Sequence, residues 1–134
     1  MITDNFIKQC EASKEIQKEW AQTVADIFIY KHDIENGCYF YITEHKKYVN
    51  AIWLPTLEQL FEIAHRAYNK NAHYKSKEYE IIADFVEWML NSDIDKYKDF
   101  NLDFDDTKSC LLIYIMEEFY HKIWTGEKWV KETN

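Results

Sequence analysis

Two short stretches have the residue types and spacing of metal chemistry: Glu62-Ile63-Ala64-His65 and Glu118-Phe119-Tyr120-His121. A carboxylate and an imidazole three positions apart share a face if the backbone is helical. Two such pairs, with one glutamate from each of two further helices, make the ligand set of di-iron and di-manganese carboxylate bundles. Glu15, Glu19, Glu78, Glu80 and Glu87 could complete that set from other helices. A glutamate-rich chain also produces Glu-x-x-His by chance, as solvent-facing helix residues. A metal-binding protein or metal-dependent enzyme using Glu62, His65, Glu118 and His121 is therefore an alternative reading.

Other chemistries fail on particular residues. Asn101, Asp103 and Asp105 alternate like the opening ligands of an EF-hand, but Asp106 stands where the turn glycine belongs and Leu112 where a bidentate glutamate is required. Ser13, Ser76, Ser92 and Ser109 sit in no G-x-S-x-G elbow. With Gly 2 in the whole chain there is no glycine-rich phosphate cradle. No catalytic residue is assigned, no cofactor is expected, and an enzyme is disfavoured.

Charge and cysteine usage bound the surroundings. The 134 residues carry 16 Lys and Arg against 24 Asp and Glu, a formal charge of −8. Arg66 is the sole arginine, and no cluster of cations offers a phosphate-binding surface, so nucleic acid is not an expected partner. The acidity leaves a second alternative, a decoy that mimics DNA toward a DNA-binding host factor. Cys10, Cys38 and Cys110 are widely spaced without a C-x-x-C pair, as expected of thiols in a reducing compartment. The longest uninterrupted apolar run, residues 110–116, is far short of the roughly 20 needed to cross a bilayer. The first residues have neither a cationic nor an apolar leader region, so a cytoplasmic location without membrane association is expected.

The elements that would position these residues follow from periodicity. Phe6, Cys10, Ser13, Ile16 and Trp20 recur at helical spacing, predicting an amphipathic helix over 4–20 capped by Thr3 or Asp4. β-Branched and aromatic runs at 25–30, 38–43 and 48–54 predict a three-stranded antiparallel meander, with Asn36-Gly37 in the first turn. Both faces of the first two strands are apolar, which calls for cover on each and favours a symmetric homodimer. Thr56-Leu57-Glu58-Gln59 reads as a capping box opening a helix to about Tyr68. Ser76 can cap the next helix, with Tyr79, Ile82, Val86 and Met89 on one stripe and Phe85 and Trp88 on another, the pattern of a deeply packed helix. Residues 91–106 form an acidic connection, from which Asp105 or Asp106 caps a last helix that Gly126 ends.

The aromatic share is 17%. Trp53 stands beside Pro55 and Thr56 at a strand-to-helix corner, and Trp124 and Trp129 bracket the turn at Gly126. These six residues are expected either to build a ring-rich interior or to form a partner-binding surface.

The stretches Trp53-Leu54-Pro55-Thr56-Leu57-Glu58-Gln59-Leu60 and Glu117-Glu118-Phe119-Tyr120-His121-Lys122-Ile123-Trp124-Thr125-Gly126-Glu127-Lys128-Trp129-Val130 resemble a group of small phage and prophage proteins of unknown function. That group has a W-L-P-x-x-x-Q-L element in mid-chain and an E-x-x-Y-x-K-x-W-x-G-x-x-W ending, and Glu15 to Trp20 with Asp26-Ile27-Phe28 fits its opening. Leu57, Thr125 and His121 depart from the group's pattern. The resemblance implies a mobile-element origin and brings no substrate or catalytic residue.

Composition, periodicity and resemblance together predict one α+β domain over residues 1–134. It should comprise an N-terminal helix, a three-stranded antiparallel meander and three C-terminal helices packed on the sheet. The expected role is that of a small non-catalytic accessory protein that binds another protein.

Overall fold

The computed structural model describes residues 2–71, 78–91, 97 and 106–132. Helix α1 (Asp4–Ala12) begins at Thr3, whose hydroxyl accepts from the Phe6 amide at 3.1 Å. The expected continuous helix over 4–20 is interrupted at Ser13. This fully buried side chain donates to the Gln9 carbonyl (2.9 Å) and approaches that of Cys10 (3.2 Å), with the backbone at φ −94°, ψ 89°. A serine that competes with the backbone for carbonyls breaks the helical ladder. A single turn, α2 (Lys14–Gln17), follows and buries Ile16.

Strands β1 (Ile27–Tyr30), β2 (Tyr39–Tyr41) and β3 (Ala51–Trp53) form one antiparallel sheet, giving a mixed α+β fold. Gly37, at φ +64°, lies in the turn before β2. The strand order is β2-β1-β3, so β1 is central and the sheet is not a simple meander. After β2 the chain returns to the other side of β1, pairing Phe28 with Trp53 as well as with Phe40. Phe28 organises the rings here, 4.8 Å from Tyr48, 5.0 Å from Tyr30, 5.9 Å from Phe40 and 6.2 Å from Trp20 between centroids. Ile42 closes this cluster. The cover expected on both sheet faces is incomplete at β2, where Tyr39, Phe40 and Tyr41 are all exposed.

Two glutamines hold the end of α2 and the segment after it to β3 and the chain that leads into it. Gln17 accepts from the Trp53 amide (2.8 Å) and donates to the Trp53 carbonyl (3.0 Å). Gln22 does the same to Tyr48, at 3.0 and 3.1 Å. The two pairs step in opposite senses along the chain, so the amide side chains stand in for an antiparallel neighbour. Asp26, also buried, accepts through one oxygen from the Thr23 amide, the Thr23 hydroxyl and the Trp20 indole.

Contacts divide the chain into two compact units, Met1–Thr56 and Leu57–Asn134. The second holds α3 (Leu57–Asn71), α4 (Glu78–Leu90) and α5 (Thr107–Tyr120), which pack on one another. Helix α5 is buried continuously from Ser109 through Glu117, as befits a helix apolar on every side. Asp106 caps it by accepting from the Ser109 amide. Its end comes earlier than Gly126: His121 takes the left-handed conformation (φ 55°, ψ 43°) and donates its amide to the Met116 carbonyl.

A hairpin of β4 (Lys122–Trp124) and β5 (Trp129–Lys131) follows. Gly126, at φ +97°, belongs to its turn, where the Thr125 hydroxyl accepts from the Lys128 amide at 3.2 Å. No helix among the described residues is long and apolar enough to cross a membrane.

Candidate functional site

Helix α3 turns Leu60, Ile63 and Ala64 inward, at the i, i+3, i+4 spacing of a buried stripe. The adjoining face lines an open groove of about 590 Å³ with Leu57, Glu58, Phe61, Glu62, His65 and Arg66, and Ile82 of α4 completes its wall. Its lining combines apolar and charged side chains. Phe61 meets Phe85 of α4 edge to face at 5.9 Å, which fixes the two helices beside each other. His65 lies 3.2 Å from the Asn69 amide nitrogen one turn on.

Helix α4 has two apolar stripes with opposite fates. Ile81, Phe85 and Trp88 are buried, and Tyr114 of α5 meets the Phe85 ring tilted at 5.4 Å and the Trp88 ring edge to face at 5.6 Å. Tyr79, Ile82, Val86 and Leu90 are exposed by 63%, 44%, 48% and 82%. The deeply packed helix expected from the sequence is thus buried on one side only. Glu80 and Glu87 lie along one side of the exposed stripe, and α4 contains no basic residue.

A shallower cleft of about 200 Å³ lies between α4 and α5, lined by Asp84, Glu87, Trp88, Asn91, Tyr114 and Glu118. Burial, with the negative charges of Asp84 and Glu118, holds the Tyr114 phenol well above the usual tyrosine range. Tyr97 is fully buried and donates to the Glu117 carboxylate at 2.8 Å. Burial and that bond raise its phenol in the same direction.

The residues of the metal reading are dispersed. Glu62 and His65 line the α3 groove, whereas Glu118 faces the α4–α5 cleft. His121 lies past the end of α5, so the left-handed turn removes it from the helical face it would share with Glu118. Among the described residues no three His, Cys, Asp or Glu side chains are placed to hold a metal ion. Residues 101–105, with the alternating acids, lie outside the described residues.

Of the six corner and turn residues, Trp53, Pro55 and Trp124 are buried, while Thr56, Gly126 and Trp129 are half-buried. Trp124 and Trp129 face each other across the hairpin, 4.9 Å between ring centroids. Tyr79, Ile82 and Val86 of the exposed row were visible in the sequence as periodicity, whereas Met89, expected on the same stripe, is half-buried and Leu90 is exposed instead; periodicity does not say which stripe faces solvent. Comparison with protein-family models, with characterised proteins and with solved structures finds no match.

Proposed function

We propose that this chain is a small, non-catalytic protein-interaction protein of phage or prophage origin that works in the cytoplasm. The observation that carries the reading is the exposed row Tyr79, Ile82, Val86 and Leu90 on a helix whose opposite side is already packed. A contiguous apolar row bordered by polar residues marks an association surface. The W-L-P-T and C-terminal tryptophan motifs support the origin, and three free thiols, two of them buried, support a reducing compartment. Buried Trp53 and Trp124 serve as internal supports, so the recognition surface moves from those tryptophans to α4.

Affinity capture with the tagged chain in a bacterial host tests the reading. A specific protein should be retained by the unaltered chain and lost with Ile82→Asp and Leu90→Asp. Retention by both variants would remove α4 from the surface, and no specific protein at all would sink the reading.

A homodimer through β2 is a second reading. The outer edge of β3 is closed by Gln17, while the opposite edge strand shows three exposed aromatic residues. Sedimentation should then report a dimer that Phe40→Lys dissociates; a monomer at high concentration excludes it.

A further inference from the structure

We infer that the α3–α4 face binds a basic amphipathic helix, one that lays an apolar row on Tyr79, Ile82, Val86 and Leu90 and sets lysines or arginines against the surrounding carboxylates. The inference rests on the interaction reading above and adds the chemistry of the partner. Spacing sets its shape. The exposed residues recur at three- and four-residue intervals, the row that an opposing helix matches with anchors at i, i+3 or i+4, and i+7. From Tyr79 to Leu90 the row runs ~16 Å, about three helical turns of a partner. At Ile82 the row meets the groove that Leu57 and Phe61 also line, which gives one anchor a concave seat.

Charge selects among occupants. Glu80 and Glu87 lie along one side of the row on α4, and Glu58 and Glu62 line the groove on α3. Against these, among the described residues that line the groove, stand Arg66 and His65. The face is therefore acidic within a chain of net charge −8. A second copy would bring the cation-free α4 against its own acids, and an anionic lipid surface or nucleic acid would be repelled. A lysine- or arginine-flanked helix gains apolar burial and charge complementarity together.

The test uses the full chain and a fluorescent synthetic amphipathic peptide with leucines on one face and lysines beside them, read by anisotropy. Two companion peptides keep the leucine row with glutamate flanks, or keep the composition in scrambled order. The lysine-flanked peptide should bind and the companions should not. Ile82→Asp and Val86→Asp should each weaken binding about tenfold or more. Glu80→Gln with Glu87→Gln should weaken it several-fold and flatten its salt dependence. Circular dichroism of each variant separates lost binding from lost folding, and the carboxamide pair keeps the test alive if an aspartate variant unfolds. Equal binding of the three peptides, or no binding of the lysine-flanked one, overturns the inference. So does self-association abolished by Ile82→Asp, since a second copy would then be the occupant. If host-protein capture depends on Ile82 while the basic peptide stays unbound, this inference fails and the interaction reading survives.

Discussion

The Gln17 side chain hydrogen-bonds both backbone groups of Trp53, its oxygen to the amide and its nitrogen to the carbonyl. Trp53 sits opposite Phe28 in the register, while the Leu54 amide donates to the Ile27 carbonyl. In that alternation the amide and carbonyl of Trp53 point away from β1, where another strand would pair. One glutamine thus closes a sheet edge that would otherwise offer unpaired groups to another chain.

Gln17→Ala should therefore destabilise the chain by about 2–3 kcal/mol, because two partly buried backbone groups lose their partner together. Gln17→Glu should be at least as damaging, since a carboxylate has no hydrogen for the Trp53 and Cys10 carbonyls and sets a negative charge against both. Urea denaturation of the three proteins checks the order. An unchanged midpoint for Gln17→Ala would mean that water replaces the side chain without cost.

Alkaline stability follows from Tyr97 and Tyr114. Burial raises both phenols, and the Glu117 carboxylate beside Tyr97 and the Asp84 and Glu118 charges near Tyr114 raise them further. The folded state then holds these protons more tightly than the unfolded chain, whose tyrosines ionise near pH ~10. Below that pH both states are protonated and the contribution is constant. Above it the unfolded state binds fewer protons, so stability falls as pH rises. Tyrosinate absorbance should show Tyr97 and Tyr114 ionising only with unfolding, and Tyr97→Phe and Tyr114→Phe should each remove one tyrosine from that late step.

How much was legible in the sequence can be seen at these same elements. The Thr3 and Asp106 caps and the facing of Trp124 and Trp129 follow from local signals, and all three are present. Ser13 kept its place in the apolar pattern and is buried, yet its hydroxyl breaks the helix, which spacing alone does not show. Asn36-Gly37 announces the β1–β2 pairing because that signal is local. The β1–β3 pairing rests on Phe28 meeting Trp53 across the chain, and no local residue encodes it. In the candidate site, both stripes of α4 were readable as apolar, while only packing against Tyr114 decides which is interior.

His121 separates a backbone role from a ligand role. Its positive φ is costly for a residue with a Cβ, roughly 1–2 kcal/mol, and its carbonyl accepts from the Glu132 amide at 2.7 Å to start the hairpin. His121→Gly relieves that strain while loosening the unfolded chain, so thermal unfolding should show a neutral to slightly stabilising change. His121→Val, branched at Cβ, should destabilise by more than 1 kcal/mol on the order of magnitude expected for a strained left-handed residue. A metal ligand would behave otherwise: glycine would strip a bound ion and lower the melting temperature, which elemental analysis of the two proteins would expose.

Ile81 and Ile82 are neighbours of one residue type on different faces of α4, exposed by 1% and 44%. Truncating Ile81 opens a cavity beside the Phe85 and Trp88 layer, so Ile81→Ala should cost about 2–5 kcal/mol. Ile82→Ala removes methyl groups that are largely in water, and alanine is the better helix former, so the change should stay within about 0.5 kcal/mol. Binding should show the reverse order: Ile82→Ala weakens the lysine-flanked peptide, while Ile81→Ala leaves its affinity unchanged at temperatures where the variant is folded. Chemical denaturation and anisotropy on the same two proteins separate the roles. A large stability loss for Ile82→Ala would make that side of α4 part of the interior and would withdraw the surface on which the binding reading stands.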